Sequence, residues 1–214
     1  MIDDPTPMKR LPRPLDPVEI RVIGALLEKE TTTPDQYPLT VQSLVSACNQ
    51  KTNREPVLEL EAREVEDALA RLKGDVFVWP ATGARAVRWR VSVERRWALT
   101  PATRAVVTLL LLRGPQTVGE LRSRSDRLHD FPSTGAVEQA LAKLAEGPEP
   151  LAVRLPRRPG QKEERWMHLV AGPVDVEALA AESPEPVRRG GLEDRLAAIE
   201  ARLARIEEAL GLGG

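Results

Sequence analysis

An internal repeat is the feature that most constrains what this chain can fold into. Four segments of its first part recur, in the same order, in its second part. The matched pairs are residues 15–27 (LDPVEIRVIGALL) and 99–111 (LTPATRAVVTLLL), residues 39–44 and 116–121, residues 65–72 and 137–144, and Arg88-Trp89 and Arg165-Trp166. Because the order is kept, the sequence predicts a duplicated domain of about 75–85 residues.

The first helix of each copy carries clear start signals. Asp16 and Thr100 have N-cap side chains, and Pro17 and Pro101 follow them at the first helical position, where the missing N–H costs nothing. Glu19 adds a capping-box pattern to Asp16. Apolar residues then recur at helical spacing, which predicts one buried face on each helix.

Two more helices and a hairpin complete each copy. The second helices are expected to begin at Thr40 and Thr117, and the third helices to cover residues 61–73 and 134–146. Strand-like runs joined by turn residues follow each third helix. Those runs are residues 76–80 and 86–93 in the first copy, and residues 151–155 and 165–170 in the second.

Three helices followed by a β-hairpin is the plan of a winged-helix domain. The predicted fold class is therefore mainly α with small β-hairpins (α+β), with two tandem winged-helix domains plus a C-terminal coiled-coil helix. The predicted boundaries are 1–14 for a disordered lead-in, 15–97 and 98–173 for the two domains, 174–191 for a linker and 192–211 for the coiled-coil helix.

The C-terminal helix is predicted from a heptad pattern whose apolar positions alternate at spacings of four and three. These positions are Leu192, Leu196, Ile199, Leu203, Ile206 and Leu210. In a parallel pair, Arg195 and Arg202 would face glutamates of the other helix, which favours a parallel homo-oligomer. The alternative is an amphipathic helix that packs on its own chain.

Composition argues against a membrane protein and against catalysis. No apolar run reaches the length of a membrane span and the N-terminus lacks an apolar signal core, so we expect a cytoplasmic protein. The chain has no P-loop, dinucleotide fingerprint or metal-ligand spacing, so we expect no enzymatic activity, cofactor or metal. His129 and His168 are expected at surface or boundary positions, and Cys48 in the core.

Several long polar strings of this chain closely resemble the YceH-like family of bacterial proteins. The strings are residues 27–39 (LEKETTTPDQYPL), 47–57 (ACNQKTNREPV) and 110–124 (LLLRGPQTVGELRSR), and the resemblance extends from about Leu15 to Val170. It implies tandem winged-helix domains. It implies no catalytic residues and no cofactor.

Basic residues of the hairpins and of the segment after the second helix point to DNA. The third helices carry several carboxylates, which oppose entry into a DNA groove, so phosphate contact through the hairpins (the wings) is the sharper hypothesis. The candidate contacts are Arg85, Arg88, Arg90, Arg122, Arg124, Arg127, Arg157, Arg158 and Lys162. The alternative for each is a solvated hairpin face, since alternation along a strand exposes such residues.

The connections between second and third helices, residues 51–60 and 126–132, are longer than in a tight helix-turn-helix. The first is polar, and Asn53 and Arg54 are its candidate contacts with DNA or a partner. They could equally satisfy backbone groups between the two domains. Two functions remain open: a DNA-binding regulatory or nucleoid protein acting on double-stranded DNA, and a scaffold whose paired domains bind a partner protein.

Overall fold

A computed structural model describes residues 10–81, 86–157 and 161–174 of the chain. Several predictions lie outside these residues: those for residues 1–9, for Arg85 and Arg158 near the hairpin turns, and for the heptad helix over residues 192–211. The predicted coiled coil and the parallel homo-oligomer therefore stay predictions.

The described part is a mixed α/β structure of helices and small antiparallel sheets, and its two halves have similar element orders. The first half contains α1 (Pro17–Thr32), a 3-10 turn (Pro34–Gln36), β1 (Leu39–Thr40), α2 (Val41–Cys48), α3 (Ala62–Gly74), β2 (Val78–Ala81) and β3 (Arg88–Val91). The second half contains α4 (Pro101–Arg113), α5 (Val118–Arg124), α6 (Thr134–Ala145), β4 (Ala152–Leu155) and β5 (Arg165–His168). The order of three helices and a hairpin in each half is as predicted.

Side-chain caps explain where the helices begin. The Asp16 carboxylate accepts hydrogen bonds from the backbone N–H groups of Val18 and Glu19, and Glu19 completes the predicted capping box. Thr40 and Thr117 cap α2 and α5 in the same way, as their predicted start positions require. The Thr100 hydroxyl caps α4. The predicted helix starts are therefore confirmed. They could be predicted because each cap depends on residues only a few positions away.

One strand was not predicted. β1 contains only two residues and pairs antiparallel with β3, with Leu39 opposite Trp89, so the first sheet has the order β1-β3-β2. In the second half a single bridge joins Gln116 to Trp166, at the matching positions of the repeat. The duplication therefore extends to this strand contact, although two residues are too short a run to give a strand signal.

The two halves share one continuous hydrophobic core, which extends from Leu15 to Val170. Helix α1 of the first half packs directly on α4 of the second. Gly24 lies at their crossing: a Cβ atom placed there would be 2.9 Å from Leu112 Cδ2 and 3.1 Å from Leu111 Cβ. The missing side chain lets the two backbones approach closely.

Polar contacts reinforce this junction. Arg104 on α4 donates to the carbonyl oxygen of Leu27 (3.1 Å) and pairs with the Glu30 carboxylate at the end of α1. The Glu55 N–H donates to the carbonyl oxygen of Leu112 (2.9 Å). The halves are thus joined by backbone groups and charges as well as by apolar packing.

Residues 10–14, which the sequence assigned to a disordered lead-in, make specific contacts in the structure. The Arg10 N–H donates to the Glu149 carboxylate at 2.6 Å, and Arg10 accepts a hydrogen bond from the Trp97 indole at 3.0 Å. Arg13 pairs with Glu19 and Asp75 at 2.6 and 2.7 Å. Burial alone would raise the pKa of Glu19, but hydrogen bonds led by that from Arg13 lower it to about 2. These long-range partners gave no local sequence signal.

The close approach at Gly24 yields a stability prediction. Gly24→Val is expected to lower the free energy of unfolding by about 2 kcal/mol, because the added methyl groups would force α1 and α4 apart. Chemical denaturation measures this loss. The matched control is Gly74→Val at the end of α3, where a Cβ atom would have no neighbour within 4 Å. Equal losses in both variants would contradict a tight contact at Gly24.

Candidate nucleic-acid interface

The outward face of the first hairpin combines an exposed tryptophan with arginines. Trp79 on β2 lies directly opposite Arg90 on β3, and Ala81 lies opposite Arg88. The Trp79 side chain is 44% exposed, and Arg90 is also exposed. The three strands of this sheet contain no Asp or Glu, and the next carboxylate along the chain, Glu94, pairs with Arg104 at 3.6 Å. This face therefore combines an aromatic ring with arginines, and Glu94 lines the same cleft as Trp79 and Arg90.

Arg88 is held in place by a contact that the repeat duplicates. Its Nη1 donates to the carbonyl oxygen of Pro38 at 2.9 Å, just before β1. Arg165 in the second half donates in the same way to Pro115 at 2.8 Å. In both halves the arginine next to the strand tryptophan ties the hairpin to the start of the second helix. Arg88 thus has a structural role and remains only half-buried.

The second hairpin carries a mixture of charges. Arg154 pairs with Glu164 at 3.1 Å, while Arg157 and Lys162 are exposed. They line a cleft of about 720 Å³ that lies between the hairpin and the first turns of α5 and α6. Glu138, Glu163 and Glu164 also line this cleft, so its charge is nearly balanced.

Arg122 and Arg124 lie in the last turn of α5 and not after the helix, whereas Arg127 follows it, and the three arginines have different environments. Arg122 donates to the carbonyl oxygens of Phe131 and Pro132, at 3.4 and 3.2 Å, and so supports the connection to α6. Arg124 donates to the Gln116 amide oxygen at 2.8 Å and lies 3.4 Å from the Glu120 carboxylate. Arg127 is exposed, and no carboxylate of the described residues lies within ion-pair distance of it.

Arg54 is not available as a surface contact. Its side chain is buried; it donates to the carbonyl oxygen of Ala47 at 3.0 Å and pairs with Glu28 at 2.5 Å. Asn53 is exposed, and its Oδ1 accepts a hydrogen bond from Arg113 of the second half at 3.0 Å. Of the two roles predicted for these residues, the structure gives Arg54 the one that satisfies backbone groups, because the loop folds back over the end of α2.

The structure brings together two sets of residues that are far apart in the sequence. Asn53, from the polar loop of the first half, lines the same cleft as Arg124 and Arg127 of the second half. Lys29 and Lys51 line it too, and sequence reasoning missed both. Nothing local marks these lysines, because the cleft exists only where the two halves meet. Trp79 was also missed, although its strand alternates between buried and exposed positions.

Burial shifts the pKa values of two side chains of types that often take part in catalysis, the Cys48 thiol and the His168 imidazole. Cys48 is fully buried, as predicted, and burial raises the pKa of its thiol to about 12. His168 is only 7% exposed, so its predicted surface or boundary position is wrong. Burial lowers the pKa of His168 to about 4, so its imidazole is neutral near pH 7. His168 lies on β5, and its polar ring gave no signal of an inward orientation.

Within the described residues, no helix combines the length and the apolar character needed to cross a membrane.

The fold defines a two-part mixed α/β protein with a continuous hydrophobic core. Residues 15–161 match the family described as "Protein of unknown function, DUF480". A UPF0502 protein of Geobacter sulfurreducens is 47% identical over 196 residues, covering 90% of each chain. A UPF0502 protein of Pseudomonas fluorescens strain SBW25 is 44% identical over 213 residues, covering 97% of this chain and 95% of its own.

The chain belongs to this DUF480/UPF0502 family of bacterial proteins, which confirms the resemblance inferred from its polar strings. The similarity also extends further than residues 15–170. An alignment that covers 97% of the chain includes part of the C-terminal heptad segment.

The burial of Arg54 predicts that replacing it lowers the free energy of unfolding by a large amount. Arg54→Met is expected to lower the free energy of unfolding by about 3 kcal/mol, because it leaves the mostly buried Glu28 carboxylate without its partner. Glu28→Met combined with Arg54→Met should recover part of this loss. Denaturant titration measures both variants. Arg127→Met, at an exposed arginine, is the control and should change stability by less than about 0.5 kcal/mol; a similarly small loss for Arg54→Met would contradict the buried pair.

Proposed function

We propose that this chain is a non-enzymatic, cytoplasmic DNA-binding protein of two tandem winged-helix domains that contacts backbone phosphates through its hairpins. The element order supports the proposal, because each half has three helices followed by an antiparallel hairpin. In winged-helix proteins the third helix and the hairpin both lie against the duplex. Which of the two carries the contacts depends on their charges.

The observation that carries the proposal is the outward face of the first hairpin. Arg90 is exposed there beside Trp79. The three strands contain no acidic residue, and Glu94, which lines the same cleft, pairs with Arg104. Arginine donates several hydrogen bonds to phosphate oxygens, and an aromatic ring can pack against a sugar or base. In the second half, Arg157 and Lys162 are exposed at the corresponding hairpin.

The third helices favour contact through the hairpins rather than insertion into a groove. Helix α3 buries the stripe that contains Val65, Leu69 and Leu72. Its exposed first turns carry Glu64, Glu66 and Asp67 against Arg63, and Arg71 and Lys73 follow near its end. The positions of these carboxylates on the solvent face would place negative charge against the phosphates of a groove. Hairpin contacts avoid that repulsion.

Self-association would increase the number of phosphate contacts. The heptad pattern of the C-terminal segment supports a parallel homo-oligomer, in which each additional chain adds two hairpins. Since each phosphate contact releases bound counterions, an oligomer would bind DNA more tightly and with a steeper dependence on salt.

A scaffold for a partner protein is the second candidate, and exposed apolar side chains favour it. Trp79, Val87 and Val76 are 44%, 58% and 38% exposed on or beside the first hairpin. Tryptophan and arginine are the residues that most often dominate protein–protein binding energy. The same surface thus fits either partner, and only a binding measurement separates them.

The decisive experiment is fluorescence anisotropy with random-sequence duplex DNA, at about 50 and 200 mM salt, the range over which phosphate contacts lose their strength. The full chain is expected to bind at the lower salt and to lose affinity steeply at the higher. Arg90→Gln combined with Arg157→Gln should weaken binding and reduce the slope of log K against log salt by about 2, one for each lost contact.

The control is Arg63→Gln combined with Lys143→Gln, which removes the same charge from exposed positions on α3 and α6. It should leave the salt slope unchanged. An equal loss in the control would show that binding follows the total charge and not the hairpins, and would contradict contact through the hairpins. No binding at the lower salt would reject DNA and favour the scaffold.

A further inference from the structure

A cleft of about 270 Å³ lies at the junction between the two halves, away from the hairpins. Its walls come from the C-terminal end of α1, from the polar loop after α2 and from the segment around the end of α5. Its polar and charged lining includes Lys29, Lys51, Thr52, Asn53, Arg124 and Arg127. Leu109, Leu112 and Leu128 supply its apolar surface.

Positive charge dominates the lining. Two lysines from the first half and two arginines from the second face a single lining carboxylate, that of Glu28. Arg54, buried beneath the loop, binds both oxygens of that carboxylate, at 3.1 and 2.5 Å. Lys29 lies 3.6 Å from Glu28, and Arg124 lies 3.4 Å from Glu120, which is outside the lining. Lys51 and Arg127 are therefore the lining cations without a carboxylate partner among the described residues.

Arg113 adds a further cation beside the cleft. It donates from Nη1 to the exposed lining residue Asn53, and its Nε is buried without a hydrogen-bond partner in the described part of the chain. Burial and the positive charge of Arg124 both lower the pKa of Arg113. Cations from both halves thus accumulate at one place, and two of those in the lining, Lys51 and Arg127, have no carboxylate partner among the described residues.

A cluster of cations of this kind attracts anions. We propose that this junction cleft is a binding site for a phosphate group. Phosphate fits the donor set better than a carboxylate does, because its tetrahedral oxygens accept hydrogen bonds from several directions. Here the donors come from three separate segments: α1, the polar loop and the end of α5. Thr52 and Asn53 add neutral donors among the cations.

The bound phosphate would act on the junction itself. Because Lys29 and Lys51 belong to one half and Arg124 and Arg127 to the other, an anion between them attracts both halves at once. Occupancy is therefore linked to the stability of the joined structure. The phosphate could come from a small free molecule or from a DNA backbone, and a volume near the lower limit of ligand pockets admits either.

The test uses inorganic pyrophosphate and the full chain, with ionic strength held constant by chloride. Calorimetric titration is expected to show saturable binding at one site per chain. Pyrophosphate at ten times its Kd should raise Tm by about 3–6 °C, since only the folded chain assembles the site. Lys51→Gln combined with Arg127→Gln should weaken binding at least 10-fold. Both side chains are exposed, so the variant should keep the wild-type Tm in chloride.

The control, Arg63→Gln combined with Lys143→Gln, should retain the wild-type affinity for pyrophosphate. If pyrophosphate does not bind but the cleft variant loses duplex-DNA affinity and the control does not, phosphate recognition stands with DNA as its source. The absence of both effects, or equal losses in the cleft variant and the control, would overturn the proposal. Pyrophosphate binding without any DNA binding would reject the proposed function while leaving this site intact.

Discussion

The packing of α1 on α4 is the contact on which the rest of the structure depends. It joins the first helix of one half to the first helix of the other, and the absence of a side chain at Gly24 allows the leucines of α4 to approach the α1 backbone. Each buried leucine of this kind contributes about 1.5–3 kcal/mol. Arg104 and the backbone bond from Glu55 to Leu112 then fix the relative position of the two helices. The two copies of the repeat therefore pack into one structure and are not independent domains joined by a linker.

This junction has consequences for both proposed sites. The hairpins are attached to the helices of their own halves, as the paired contacts of Arg88 with Pro38 and Arg165 with Pro115 illustrate. A fixed junction thus fixes the two hairpins relative to one another, which favours simultaneous contact with one extended partner. The phosphate cleft is even more dependent on it, because neither half alone contains the full set of donors.

The elements with local causes could be predicted from the sequence. The caps at Asp16, Thr40, Thr100 and Thr117 and the alternation in the strands depend on residues within a few positions of one another, and the helices and hairpins appear where these signals place them. The internal repeat correctly paired the two halves: Trp89 and Trp166, matched in the sequence, make equivalent strand contacts, although the contacts themselves were not predicted. Winged-helix geometry and DNA binding remain proposals that rest on this element order and on the internal repeat.

The features that sequence could not supply all depend on distant partners. The polar string around Arg54 left open whether this side chain binds a partner or satisfies backbone groups, and its contacts with Glu28 and the Ala47 carbonyl decide for the second role. Residues 10–14 looked unstructured because Glu149 and Trp97, which bind Arg10, are far along the chain. The junction cleft draws on both halves, so no motif could reveal it. In each case the interacting residues are separated in the sequence and meet only in the folded chain.

Differential scanning calorimetry of the full chain tests most directly whether the two halves form one structural unit. A shared core and an interlocked junction predict a single transition, with a calorimetric enthalpy equal to the van 't Hoff enthalpy. Two resolved transitions, or a calorimetric enthalpy near twice the van 't Hoff value, would show that the halves unfold independently. That result would contradict a fixed arrangement of the hairpins and a phosphate site built between the halves.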